Sequence, residues 1–236
     1  MATPSMAANA RRDGRQGNQL RPPAMDLRPL LRADGSARFR FGDSAVVAAV
    51  FGPREPRSRH RELFDRATLE IVVRPAVGIP GPKERQMEAH LARQLEHVVL
   101  STEYPRTQIS VVVQLSSCDG SVAACAANAA ALALLDAGVA MRATALSVAV
   151  AVKQTGGSPV LWLDPTAAEE AQCESLVTLA VDSSRNQLVS NISSGAALDA
   201  ATWASCIEAG AKSCKVLEAF MRMSLQKRLE TFLKPS

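Results

Sequence analysis

Nine of the seventeen residues from Ser121 to Ala137 are alanine, and this segment restricts the fold more than any other. Alanine has the highest intrinsic helix propensity, so the segment reads as a helix. Side chains this small let the helix backbone approach its neighbours closely, which means a helix packed tightly on a sheet.

The rest of the sequence supplies that sheet. From Gly35 to Pro53, Ala37, Phe39 and Phe41 alternate with Arg38 and Arg40, a Gly42-Asp43 turn follows, and Ala45 to Phe51 continue as the second arm of a β-hairpin. Further strands are expected over Ala67–Arg74, over Ile109–Leu115, over Thr144–Lys153 and Val160–Leu163 joined by Gly156-Gly157, and over Ser175–Val181 and Leu188–Ile192. Met87, Leu91, Leu95 and Val98 recur at helical spacing, and Asp199 can cap a final long helix carrying Trp203, Ile207, Val216, Leu217, Phe220, Leu225 and Leu229. The expectation is a single α+β domain over residues 24–236, a mixed sheet covered by helices with a long C-terminal helix, preceded by a flexible segment, residues 1–23. With 47% of its 236 residues hydrophobic and 21% charged, the chain has the composition of a folded globular protein, which excludes collagen-like and wholly disordered classes.

Charge is distributed unevenly. Residues 1–66 carry thirteen Arg against seven acidic residues, whereas the other 170 carry fourteen basic and sixteen acidic side chains. Within the basic portion, Arg54, Arg57, Arg59, Arg61 and Arg66 place five guanidinium groups in thirteen residues. Such a run can hold a polyanionic backbone, and it also reads as a solvated connection between strands. The five Cys (118, 125, 173, 206 and 214) form no CxxC pair and no even set, which argues against a disulfide framework or a zinc site and for an intracellular protein. Asn128, Asp136 and Arg142 interrupt the long apolar region, so no membrane span is expected.

Three short segments combine groups suited to phosphate chemistry. Lys83, Arg85 and Gln86 sit on the opening turn of a helix, where free backbone N–H groups and the positive dipole end favour an anion. Asp119-Gly120-Ser121 forms a strand-to-helix turn in which Ser121 offers a hydroxyl and helix-start N–H groups to an oxyanion, or simply caps the helix. Asp164 ends a strand, with Glu169 and Glu170 five and six residues on. Two carboxylates converging there can hold Mg²⁺ or Mn²⁺, which would neutralise phosphate charge and activate an attacking oxygen, making Asp164 and Glu170 candidate catalytic residues and metal ligands. Each segment also has a plain structural reading, as an exposed helix face, a helix cap or a solvated turn. No Walker A, GxSxG or dinucleotide glycine pattern is present.

Taken in order, Asp13-Gly14-Arg15 through Gln19-Leu20-Arg21-Pro22, the hairpin Gly35-Ser36 to Phe51-Gly52-Pro53, and Asp119-Gly120-Ser121 to Leu135-Asp136-Ala137-Gly138 resemble the RNase PH family of phosphate-dependent 3′-to-5′ exoribonucleases. The resemblance runs from about Arg12 to the carboxyl terminus. Ala67-Thr68-Leu69-Glu70, Arg74-Pro75, Gly78-Ile79-Pro80-Gly81, Asp164-Pro165-Thr166 and Ser224-Leu225-Gln226-Lys227-Arg228 look like one eukaryotic exosome ring subunit of that family. The resemblance implies an RNase PH-type domain whose members pair through their sheets and assemble into six-membered rings around an RNA channel. It also implies inorganic phosphate as co-substrate, RNA and other RNase PH-like exosome subunits as partners, and a place in the nucleus (nucleolus) and cytoplasm. Active members hold phosphate with two Arg, for which this sequence has Lys83 and Ala123, and carry two Asp six residues apart, for which it has Asp164 and Glu170. The phosphate site is thus expected to be weakened and the acid pair kept. The leading expectation is a nucleic-acid-binding ring subunit supporting RNA processing and decay. The alternative is a homodimeric nuclease acting on RNA or DNA by phosphorolysis or metal-dependent hydrolysis.

Overall fold

The computed structural model describes Arg11 and residues 13–56, 62–155 and 158–233. In chain order the elements are β1 (Pro23–Leu27), β2 (Gly35–Phe41), β3 (Ser44–Arg54), β4 (Thr68–Arg74), α1 (Pro82–Val98), β5 (Gln108–Ser117), α2 (Val122–Asp136), β6 (Ala145–Thr155), β7 (Ser158–Leu163), α3 (Ala167–Glu170), β8 (Ser175–Asp182), β9 (Leu188–Gly195) and α4 (Ala200–Leu233). They build two sheets where the sequence suggested one. The first has the order β1-β2-β3-β5-β4 and is antiparallel except for the parallel β4–β5 pair; the second has the order β7-β6-β8-β9 and is antiparallel throughout.

Alternation decides which face of the first sheet is covered. Ala37, Phe39 and Phe41 on β2 and Val46, Ala48 and Val50 on β3 are buried to within a few per cent, and the two phenyl rings meet edge to face at 4.9 Å. The alanine-rich α2 lies against β2 and β3 on one side and β6 on the other. Every residue from Ala124 to Leu134 is buried, as a helix between two sheets requires. Contact is so close at one end that a Cβ on Gly35 would stand 2.3 Å from the Ala137 nitrogen and 2.4 Å from the Ala133 carbonyl oxygen. Only glycine fits there.

The second sheet is locked to the helices by buried polar groups. The Asn128 side chain on α2 donates to the Ser147 carbonyl at 2.9 Å and accepts from the Ser147 N–H at 2.8 Å, pairing backbone of β6 that has no β7 residue beside it. Gln94 on α1 donates to the Ser147 hydroxyl at 3.2 Å. On α4, Cys206, Ala209, Cys214, Leu217 and Met221 form one buried stripe at helical spacing, whereas Val216 and Leu229 face solvent. All five cysteines are free. Among the described residues no helix is long and apolar enough to cross a membrane.

Among the strands and α-helices, β1 and the one-turn α3 were not expected from sequence. A further difference concerns the stretch up to residue 23. Its described part is held in place: Arg11 and Arg21 are buried, Leu163 donates its N–H to the Gly17 carbonyl at 2.8 Å, and Arg11 donates to the Leu163 carbonyl at 2.6 Å. Arg11 and residues 13–22 therefore form a strap across the end of β7.

Asn128→Ala should lower the free energy of unfolding by about 2–4 kcal/mol, because it leaves a buried N–H and a buried C=O of Ser147 unpaired. Urea denaturation measures this, and a loss below about 1 kcal/mol would contradict the role given to Asn128.

Candidate functional site

Three turns meet at the end of β7: the strap, the β5–α2 turn and the β7–α3 turn. Their approach is set by Gly120 (φ +75°), where a Cβ would stand 2.3 Å from the Pro165 carbonyl oxygen and 2.7 Å from the Ala167 nitrogen. Ser121 and Asp164, which flank this contact, both adopt left-handed backbone conformations, with φ of +53° and +49°. Such conformations are unfavourable for side chains with a Cβ and persist only where surrounding bonds hold them.

The group that holds Asp164 and the carbonyls around it is Arg21. Its Nε donates to Asp164 Oδ2 at 2.8 Å and its Nη2 to Asp164 Oδ1 at 2.7 Å, a two-pronged pair, while its backbone N–H adds a third bond to Oδ2 at 3.0 Å. The same guanidinium donates to the carbonyls of Asp119 (2.6 Å), Gly120 (3.3 Å) and Pro165 (3.4 Å) and stands 3.3 Å from Asp119 Oδ2. Asp164 is 1% exposed. Arg15 adds a bond to the Asp164 carbonyl at 3.3 Å, and Glu169 lies 3.6 Å from Arg11 and 3.8 Å from Arg15. Burial opposes the Arg21 charge, but the bonds to Asp164 and the charges of Asp164 and Asp119 outweigh it and raise its pKa.

The carboxylates behind Asp164 have separate tasks. Glu169 closes a capping box on α3 by accepting from the Thr166 N–H at 2.9 Å. Glu170 Oε1 accepts the Ser121 N–H at 2.6 Å, at the opening of α2. Burial raises the Glu170 pKa, against the Ser121 bond and the Arg21 charge, with Asp164 and Asp119 pushing the same way as burial. Ser121 differs from its expected part as cap or oxyanion donor: its hydroxyl donates to the Pro165 carbonyl at 3.1 Å, its N–H belongs to Glu170, and it makes no side-chain cap on α2.

A divalent metal does not fit these residues. Both oxygens of Asp164 are on Arg21, Glu170 Oε1 is on Ser121, and Asp119 Oδ1 accepts the Ala167 N–H at 3.3 Å. Among the described residues no group of three or more His, Cys, Asp or Glu is arranged to hold a metal ion. Mg²⁺ or Mn²⁺ on Asp164 and Glu170, expected from their spacing, is therefore corrected: the cation beside Asp164 is the chain's own guanidinium.

Lys83, Arg85 and Gln86 lie exposed on the first turn of α1, and neither Lys83 nor Arg85 forms an ion pair among the described residues. Glu84 caps that turn by accepting the Gly81 N–H at 2.7 Å, so its first backbone donor is already used. Burial, and then the charge of Glu84, push the Cys118 thiol up. Arg57, Arg59 and Arg61 lie outside the described residues. The residues that sequence reasoning missed are Arg11, Arg15 and Arg21; the only signal was the motif-like run from Asp13 to Pro22, which named Arg15 and Arg21 without giving them a part.

Because the Glu170 pKa is raised from its ordinary 4.5, the folded chain binds that proton more tightly than the unfolded chain, so the group's contribution to stability is lost as pH rises through the folded pKa. Glu170→Gln should thus gain stability relative to the parent as pH is raised from 4.5 to neutrality. Thermal unfolding across that range checks it, and a Glu170→Gln variant that loses stability relative to the parent as pH rises would contradict the burial of this charge.

Both halves of the chain match models of the 3′ exoribonuclease family, residues 19–140 its domain 1 and residues 145–213 its domain 2. The chain is 37% identical over 235 residues to the rice (Oryza sativa subsp. japonica) exosome complex exonuclease RRP46 homolog, covering 93% of this chain and 97% of that one. It is 31% identical over 226 residues to exosome complex component Rrp41 of Methanopyrus kandleri, covering 92% of each. The crystal structure of rice Rrp46 aligns with a TM-score of 0.85 at 38% identity, over 92% of this chain and 100% of that one. With both halves matched in order and relatives of this similarity along nearly the whole length, the chain belongs to the RNase PH family of 3′ exoribonucleases.

Proposed function

We propose that this chain is a ring subunit of the RNA exosome that supports 3′-to-5′ RNA processing and decay by holding RNA, with other RNase PH-like subunits as neighbours. Its place of work would be the nucleus, with the nucleolus, and the cytoplasm. The exosome names of the rice and Methanopyrus relatives support the assembly. The observation that carries the RNA-holding part is the contrast between interior and rim: the acid pair is engaged by Arg21 and Ser121, whereas Lys83 and Arg85 stand exposed on the first turn of α1, without an ion pair among the described residues. An exposed, uncompensated cation is available to a phosphodiester, and a buried carboxylate bound to a guanidinium is not available to a metal.

The same contrast bears on phosphate. Lys83 retains a charge but lacks the planar fork of an arginine, and the first N–H of the α2 opening is taken by Glu170. Orthophosphate is held weakly at such a place. A self-paired nuclease acting by metal-dependent hydrolysis of RNA or DNA requires Asp164 and Glu170 as metal ligands, and Asp164 is held by Arg21.

The test is the salt dependence of single-stranded RNA binding by the full chain and by Lys83→Ala/Arg85→Ala, read by fluorescence anisotropy. Each phosphate contact on a single strand contributes about 0.7 to the slope of log affinity against log salt, so removing two should flatten it by about 1.4 and weaken binding at low salt. An unchanged slope and affinity would remove these residues from the RNA path.

A further inference from the structure

The turn at the end of β7 presents the acceptors that a divalent ion would use and gives them to a side chain. Around the Arg21 guanidinium stand the two oxygens of Asp164, one oxygen of Asp119, and the carbonyls of Asp119, Gly120 and Pro165. Each lies between 2.6 and 3.4 Å from a guanidinium nitrogen. The guanidinium is 6% exposed and Asp164 1%, so neither swings freely into water.

We infer that Arg21 is the resident cation of this acidic centre, a positioning residue that fixes Asp164 and the Gly120–Ser121 backbone and at the same time closes the centre to divalent ions. Three features make the arrangement self-consistent. A planar fork satisfies a carboxylate through two parallel bonds, so Asp164 has its in-plane acceptors filled. Mg²⁺ demands near-octahedral oxygen ligands at about 2.0–2.1 Å, and no oxygen here can move to that geometry without leaving Arg21. Arg15, whose Nη1 is 3.8 Å from Asp164 Oδ2, adds a second positive charge that repels any incoming cation.

Removing the guanidinium should expose what it hides. Without Arg21, the buried Asp164 would be left facing the half-exposed Asp119 carboxylate, with Glu170 close enough to feel both charges, and the least costly compensation is a bound cation. A residue that merely packed would leave no such trace when replaced. The conservative change to Lys keeps one positive charge at the centre while losing the fork, so it should keep metal out.

The experiment is a Mn²⁺ titration of the full chain, read by loss of the free-ion electron paramagnetic resonance signal, on the parent, Asp164→Asn, Arg21→Gln, Arg21→Lys and Arg21→Gln/Asp164→Asn, with folding checked by circular dichroism. The parent and Arg21→Lys should bind no Mn²⁺ that Asp164→Asn removes. Arg21→Gln should gain affinity by about tenfold or more, and the added Asp164→Asn should abolish the gain. Stoichiometric binding by the parent that is lost in Asp164→Asn would overturn the inference, as would a folded Arg21→Gln that gains nothing. Should Arg21→Gln fold only when Mn²⁺ is present, the inference is supported; should it not fold at all, the parent titration decides. The outcome is independent of the RNA reading: a parent that ignores Mn²⁺ and also fails to bind RNA loses that reading and keeps this one.

Discussion

The pairing of Arg21 with Asp164 is the contact on which the site depends. The two residues are 143 positions apart, and their union brings the amino-terminal strap, the β5–α2 turn and the β7–α3 turn to one place. A buried ion pair is not a source of stability in itself, because taking both charges out of water costs about as much as their attraction returns. Its contribution here is geometric. Ser121 and Asp164 each hold a left-handed backbone that is unfavourable by about 1–3 kcal/mol; the bonds from Arg21 keep Asp164 and the Gly120 and Pro165 carbonyls in place, and Ser121 is kept by its own bonds to Glu170 and Pro165.

From that fixed point the chemistry of the site separates into an interior and a rim. Inside, every acid near the turn has a partner: Asp164 has Arg21, Glu169 has the Thr166 N–H and the Arg11 and Arg15 guanidinium groups, and Glu170 has the Ser121 N–H. Outside, Lys83 and Arg85 on α1 remain exposed. The interior is thus spent on shape, and the rim is left for an anion. The family's fold is kept by the packing of α2 between two sheets, which needs nothing from these charges.

Much of this was legible in the residues. Alternation around Phe39 and Phe41, the apolar run through Val111 and Val113, and the alanine spacing of α2 are local patterns, and the elements formed where those patterns lie. Strand β1 was hidden because it begins with Pro23 and is flanked by Pro22 and Pro29, and prolines speak against a strand unless it lies at an edge, as β1 does. The second sheet was not separable from the first, since pattern tells which residues face inward and not which strands are neighbours. Asp164 follows the end of β7 and Glu170 closes the one-turn α3, and the partners of both are invisible in the spacing. Whether a carboxylate meets a metal or a guanidinium depends on Arg21, and no spacing rule connects positions 21 and 164. Ser121 failed for a related reason, because its N–H was claimed by a residue 49 positions away.

The most direct test of the account is a double-mutant cycle on unfolding free energy with Arg21→Gln, Asp164→Asn and the pair together. If the two side chains are the joint that orders the three turns, each single change should cost about 3–5 kcal/mol and the double change far less than their sum, a coupling of about 2 kcal/mol or more. Single effects that add to within about 0.5 kcal/mol would mean that the two side chains do not act as a pair, and the account of the site would fail with them.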